Sequence, residues 1–454
     1  MLVGRDKELK ILRESYKSDA NSFAIVYGRE GIGKTSLAFE FVRELPFIYY
    51  AVQDLSESEQ VQSFAEEQNK NADIKNIAES YYTCIKSVLD SYENKKVVFI
   101  FDRFEYLFEE GVGFKAAFKK IYSEKEYDGR LMFLFLTDSV NFAEHKMADL
   151  FYDISKLTDK TIKLKEFNFL ELMDMMPGES PEKIIYKSAM LGGVPGLLEM
   201  WEGNKSTKEN IKKLFLTKNG PLRLSAENTL KKDLRELPAY NAILKTLAKG
   251  NWKLNDIYRR TGFSRAKISV YLKNLMELDI VCNVNSVEAG PKNDVKKGIY
   301  CIKDRFIAFW YRYVFPNMSL LNAGKIDLVY DKYIEPDLND FIKEKYADVC
   351  FEYMQLMGEL GRLKGNYSEW GRWFGKAGNI DVFGQDKWGH NVIAFCSFAK
   401  RKIDMSDYNK YIEILKAACI KCDELFIFAA SGFSEDLKRI KERENINLIN
   451  IDEL

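Results

Sequence analysis

Glycines, a lysine and a hydroxyl residue stand at fixed offsets in Gly28-Arg29-Glu30-Gly31-Ile32-Gly33-Lys34-Thr35, which fits the pattern G-x-x-x-x-G-K-[ST] in full. Glycines let a backbone wrap an anion with its N–H groups turned inward. Lys34 is placed to reach the β- and γ-phosphates of a nucleotide, and the Thr35 hydroxyl to hold Mg²⁺. The elements this loop needs are also present. The apolar run Ser22–Tyr27 predicts a strand feeding it, and Ser36–Arg43 a helix whose positive dipole end faces the same anion. The expected nucleotide-binding residues are Gly28, Arg29, Glu30, Gly31, Ile32, Gly33, Lys34, Thr35 and Ser36. The expected cofactors are ATP or ADP with Mg²⁺.

A second acidic element is required downstream. The continuous apolar run Val97–Phe101 ends on Asp102, which suits a Mg²⁺-binding Walker B aspartate. Arg103 follows it, and an arginine is no general base. Glu105, and Asp138 at the end of the next apolar run, are the candidate water-orienting carboxylates. The alternative is a site that binds nucleotide as a switch, with slow or absent hydrolysis.

The chain has 454 residues, 46% hydrophobic and 30% charged, which suits a globular protein of several domains. Its apolar runs are strand-sized, so no membrane span is expected, and its start is charged and lacks an export core. Seven scattered cysteines suit free thiols in a reducing compartment, and the cytoplasm is the expected location. Cys419 and Cys422 have C-x-x-C spacing, but no matching pair completes a zinc site. They are expected to be half-buried within a helix.

Strands and helices alternate through the N-terminal region, as in an α/β fold with a mainly parallel sheet. A helical region follows to about residue 235. From residue 236 the pattern reads helix, helix, a helix over Arg265–Leu278 capped by Ser264, and two strands around a basic loop. This is a winged-helix pattern. From about residue 321 a small α/β domain follows. The expected domains are thus 1–235, 236–320 and 321–454.

Further segments carry a family resemblance. Val3-Gly4-Arg5 with Glu8-Leu9 resembles the opening box of AAA-related ATPases, and Gly192-Gly193-Val194-Pro195 resembles a segment of the signal-transducing STAND NTPases. Tyr300–Val314, with Asp304, Phe309, Trp310, Tyr311 and Arg312, is close to a segment that follows the winged helix in archaeal-type ATPases of the AAA superfamily. Across nearly the whole chain the sequence is similar to that family, whose C-terminal domain is like the PD-(D/E)xK nucleases. The resemblance implies that the opening box frames the adenine and that a glutamate normally follows the Walker B aspartate. It also implies four nuclease positions, which here carry Ala347, Asp381, Phe395 and Ser397. With Asp381 alone retained, the third domain is expected to be an inactive nuclease-like domain.

Net charge is zero, yet residues 225–320 carry 17 Lys+Arg against 9 Asp+Glu, an excess of +8. Double-stranded DNA is therefore a candidate partner. Arg265, Lys267 and Lys273 would face a groove, and Lys292, Lys296 and Lys297 of the wing the phosphates. The alternative is a winged helix packed within the molecule with solvated lysines, the partner being nucleotide and a protein.

Overall fold

The computed structural model describes residues 2–72, 80–92, 95–109, 113–147, 160–287, 298–441, 443–444 and 446–454. It is an α/β structure with two compact units: residues 1–167 with Val194–Gly196, and residues 168–193 with 197–454. Among the described residues no helix is long and apolar enough to cross a membrane.

The first unit is built on a parallel sheet of β1 (Ser22–Tyr27), β2 (Phe47–Ala51), β3 (Val97–Asp102), β4 (Leu131–Thr137) and β5 (Lys160–Lys163), in the order β2-β3-β4-β1-β5. The three central strands are apolar almost throughout and buried over nearly their whole length, as strands covered on both faces must be. One face is filled by aromatic rings, with Phe101, Phe133 and Phe135 stacked on one another and packed edge-on against Phe114 and Phe118. Register then fixes the site. Tyr27 pairs with Thr137 and Leu136 with Asp102, so the carboxyl ends of β1, β4 and β3 finish level with one another. Open α/β sheets place their ligands at these ends.

The second unit contains the helices Leu237–Ala248, Leu254–Thr261 and Arg265–Glu277, followed by the antiparallel pair β6 (Val281–Val284) and β7 (Ile299–Ile302). The Ser264 hydroxyl accepts the Lys267 N–H at 3.2 Å and starts the third helix. Lys292, Lys296 and Lys297 lie outside the described residues. The aromatic segment after β7 is a structural tie. Its Trp310 indole donates to the Arg223 carbonyl at 2.7 Å, and Arg312 forms a two-pronged pair with Asp337 at 2.6 and 2.8 Å.

The C-terminal sheet runs β12-β11-β10-β9-β8, comprising β8 (Glu369–Phe374), β9 (Asn379–Gln385), β10 (Asn391–Ser397), β11 (Glu424–Ala429) and β12 (Ile446–Asn450). Strand β8 escapes a pattern reading because Gly371 sits within it beside a register shift, so side-chain alternation is broken. The cysteine pair needs a correction. The helix Met405–Ala418 stops before it, because Cys419 takes the left-handed conformation at φ 53° and lets the Ile420 N–H close back on Leu415. Cys419 is exposed, and Cys422 lies beyond the helix.

Candidate nucleotide site

The loop between β1 and the helix Lys34–Phe41 turns through three glycines with positive φ: Gly28 at 151°, Gly31 at 78° and Gly33 at 98°. A β-carbon at Gly28 would stand 2.8 Å from the Leu164 carbonyl oxygen, so both conformation and space exclude a side chain there. Two remote segments buttress the loop. The buried Arg5 guanidinium donates to the Ile32 carbonyl at 3.2 Å and the Lys165 carbonyl at 2.8 Å, and it stacks on Phe167. The Gly196 N–H donates to the Gly31 carbonyl at 2.9 Å, and Val194 is fully buried against the loop. Arg29 pairs with Glu166 at 2.6 Å.

Lys34 is held inside this turn, only 5% exposed, donating to the carbonyls of Gly28 at 2.8 Å and Arg29 at 3.1 Å. Its third partner is Asp138. The level ends of β1 and β4 explain that contact, since the Gly28 N–H bonds the Thr137 carbonyl and Asp138 is the next residue. Asp138 is thus engaged by the P-loop lysine.

Thr35 donates its hydroxyl to Asp102 Oδ2 at 2.9 Å, and Tyr49 on β2 donates to the same oxygen at 3.0 Å. Burial, reinforced by Asp102, holds the Tyr49 phenol well above its usual pKa, so it stays a donor. One hydroxyl and one carboxylate in contact fit a Mg²⁺ whose remaining ligands are phosphate oxygens and water. Tyr49 gives no signal in the sequence, because its nearness to Asp102 depends on β2 lying beside β3. Tyr49→Phe removes one hydrogen bond to a charged carboxylate, worth about 1.5–3 kcal/mol. It is expected to weaken nucleotide affinity about ten-fold or more in Mg²⁺ and to leave affinity in EDTA unchanged. Titration of a fluorescent ATP analogue reads both.

Beyond Asp102 the chain turns sharply. Arg103 is exposed with φ 57°, a conformation costly to a non-glycine residue. Glu105 then lies partly buried near Asp102, Asp138 and Thr137. Its Oε2 is buried without a hydrogen-bond partner. Burial raises the Glu105 pKa, and the two aspartates add to the rise while the nearby Thr137 hydroxyl opposes it.

Two other groups of sequence candidates lie in the second unit. Arg265, Lys267 and Lys273 are exposed on the helix Arg265–Glu277. Asp381 accepts the Cys396 N–H at 2.8 Å, and burial raises its pKa. Phe395 stacks face to face on Tyr411 at 4.3 Å, Ala347 is buried in the helix Leu338–Glu359, and Ser397 ends β10.

Residues 2–201 match a family model described as an ATPase domain predominantly from Archaea, and residues 310–405 a model of archaeal and bacterial proteins of unknown function. An uncharacterized protein of Methanocaldococcus jannaschii is 26% identical over 388 residues, which cover 84% of each chain. The solved structure of a Walker-type ATPase of Pyrococcus abyssi is similar with a TM-score of 0.50 at 17% identity, over 68% of this chain and 96% of that one. An ORC2 protein of Aeropyrum pernix, solved in ADPNP–ADP complexes, has a TM-score of 0.47 at 15% identity, over 71% and 95% of the two chains. The chain is a nucleotide-binding P-loop NTPase, with an archaeal-type ATPase domain in residues 2–201 and, in residues 310–405, a domain shared with archaeal and bacterial proteins of unknown function.

Proposed function

We propose that the chain is a cytoplasmic, nucleotide-dependent switch that binds ATP with Mg²⁺ and hydrolyses it slowly. The observation that carries this reading is Arg103, which stands directly after Asp102 where the resemblance places a water-polarising glutamate. A guanidinium stays protonated and accepts no proton. Residues Gly28 to Ser36 wrap the phosphates, Lys34 neutralises them, and Thr35 and Asp102 hold the metal. When bound, Mg²⁺ supplies a cation that offsets charge developing on the transferred phosphoryl group. Glu105 orients the attacking water, since its buried Oε2 is free to accept a proton. The switch character is supported by Val194–Gly196, which belongs to the first unit while the residues on either side of it belong to the second. A nucleotide that shifts the Gly31 carbonyl therefore acts on a segment covalently continuous with the second unit. Turnover of purified protein, measured with and without duplex DNA, tests the reading: rapid turnover in both conditions contradicts it.

A second reading is favoured by the exposed cations of the helix Arg265–Glu277. Under it, residues 236–320 are a winged helix that binds double-stranded DNA, flanked by an ATPase domain over residues 1–235 and the C-terminal domain over residues 321–454. Association should fall steeply with salt and weaken when Arg265, Lys267 and Lys273 become alanine, with Lys292, Lys296 and Lys297 adding phosphate contacts.

The C-terminal domain is assigned a structural or protein-binding role. Phosphodiester cleavage by a metal needs carboxylates grouped around it and a nearby cation. Phe395 instead fills its position with a stacked ring, and Asp381 is engaged by backbone. Supercoiled plasmid incubated with Mg²⁺ or Mn²⁺ should stay intact. Nicking that disappears in Asp381→Ala would overturn the assignment.

A further inference from the structure

The carboxyl ends of β11 and β12 open into a pocket of about 460 Å³, a size in the range of small-molecule sites. Strand register builds it. Ala429 is level with Asn450, so Ser431 and Gly432 in the turn after β11 meet the Asn450 side chain at one end of the sheet, where open α/β sheets take their ligands. The Ile403 N–H donates to the Gly432 carbonyl at 2.9 Å and so seats Lys402 beside that turn. The helix Glu435–Ile440 brings Lys438, and Lys441 follows at its end; residues three apart are neighbours on a helix. None of Ala347, Asp381, Phe395 and Ser397 lines the pocket.

Three ammonium groups thus line one pocket, and their charge is available. Lys438 pairs with Glu435 at 2.9 Å, but both side chains are exposed and such a pair contributes little. Among the described residues Lys402 and Lys441 have no ion pair. Asn450 adds an amide, whose Nδ2 lies 3.5 Å from where a β-carbon of Gly432 would stand. Glu453 is the one carboxylate in the lining, and its Oε1 accepts the Asn450 backbone N–H at 2.7 Å. The Ser431 hydroxyl donates to the Ala399 carbonyl at 2.6 Å, so toward a ligand it is left as an acceptor.

We infer that this pocket binds a small phosphorylated sugar, free or as the ribose phosphate of a nucleoside monophosphate. Lysines and a side-chain amide are donors, and a phosphate offers them charged acceptor oxygens. A bare phosphate would satisfy these groups too, but it would face Glu453 with nothing to offer it. Sugar hydroxyls supply donors to the Glu453 carboxylate and the Ser431 oxygen. One ligand that carries both a phosphate and hydroxyls therefore answers each polar group in the lining, while Phe433 and Leu448 give its C–H surface an apolar wall. The inference adds a ligand to the C-terminal domain and does not depend on nucleotide binding at Lys34.

Isothermal titration of the full chain with ribose 5-phosphate, AMP, ribose and inorganic phosphate tests it, in wild type and in Lys34→Ala to exclude binding at the P-loop. Ribose 5-phosphate should bind both proteins equally, and at least about ten-fold more tightly than ribose or inorganic phosphate. Lys402→Ala combined with Lys441→Ala should fold normally, because both residues are exposed, and should lower that affinity at least about ten-fold. Glu453→Gln should narrow the preference for ribose 5-phosphate over inorganic phosphate, since it removes the charge that repels a bare anion. AMP binding as tightly as ribose 5-phosphate in Lys34→Ala would mark a nucleotide as the source, and weaker AMP binding the free sugar. Failure of both to bind, inorganic phosphate binding as tightly as either, or affinity unchanged in the double lysine variant overturns the inference. Binding that is lost in Lys34→Ala overturns it as well and leaves the P-loop site standing.

Discussion

Lys34→Ala should lower ATP affinity at least ten-fold, a loss of about 1.4 kcal/mol or more. The lysine is 5% exposed, and its position is fixed by the Gly28 and Arg29 carbonyls and by Asp138. A charge held this firmly meets a phosphate with little ordering cost. Its removal leaves Asp138 facing the loop without its partner, so repulsion of a polyphosphate adds to the lost attraction. Lys34→Arg is a useful second variant. It keeps the charge, but a wider guanidinium does not fit a turn this closely packed, so weakened binding is expected there too. Isothermal titration with ATP reads both. Equal affinity in wild type and Lys34→Ala would remove the basis for placing nucleotide at this loop.

Glu105→Gln should abolish whatever hydrolysis the wild type shows and leave ATP affinity within about two-fold, as expected for a group acting on the transition state alone. The half-buried carboxylate lies near Thr137, and its Oε2 is buried without a hydrogen-bond partner. Its raised pKa makes it a stronger base than a solvated glutamate, and activity should fall as acid protonates it. The same shift has a stability consequence. The folded-state pKa lies above the unfolded value of about 4.3, so the native state binds more protons between those two pKa values. Stability therefore declines as pH rises through that window. Glutamine carries no charge to desolvate, so Glu105→Gln should melt at or above the wild-type temperature at neutral pH, and the advantage should vanish below about pH 4. Retained turnover in Glu105→Gln would mean that another group orients the water. Asp138→Asn is the comparison, and its effect on ATP affinity separates the lysine pairing from a role in hydrolysis.

The features of this site that were legible in the sequence are local ones. A strand, three glycines, a lysine and a helix within a few residues of each other specify the loop without reference to the rest of the chain. The apolar run ending on Asp102 was legible for the same reason. What sequence could not supply was the order of the strands. Asp138 meets Lys34 because β4 lies beside β1 with their ends in register, and Tyr49 meets Asp102 because β2 lies beside β3. The buttress from Gly196 to Gly31 joins positions far apart in the chain, and only the fold brings them together. Strand β8 was hidden by the glycine and bulge that bend it, and the end of the helix before Cys419 by a left-handed cysteine where a glycine is usual. Lys292, Lys296 and Lys297 lie outside the described residues.

Hydrogen exchange of the full chain with ATP and Mg²⁺, with ADP and Mg²⁺, and without nucleotide tests the switch most directly. ATP and ADP should give different protection in Val194–Gly196 and in the helix Pro181–Leu191 continuous with it, and Lys34→Ala should erase the difference. Wild-type exchange that changes at residues 28–36 alone, identically with ATP and ADP, would contradict a nucleotide-dependent switch.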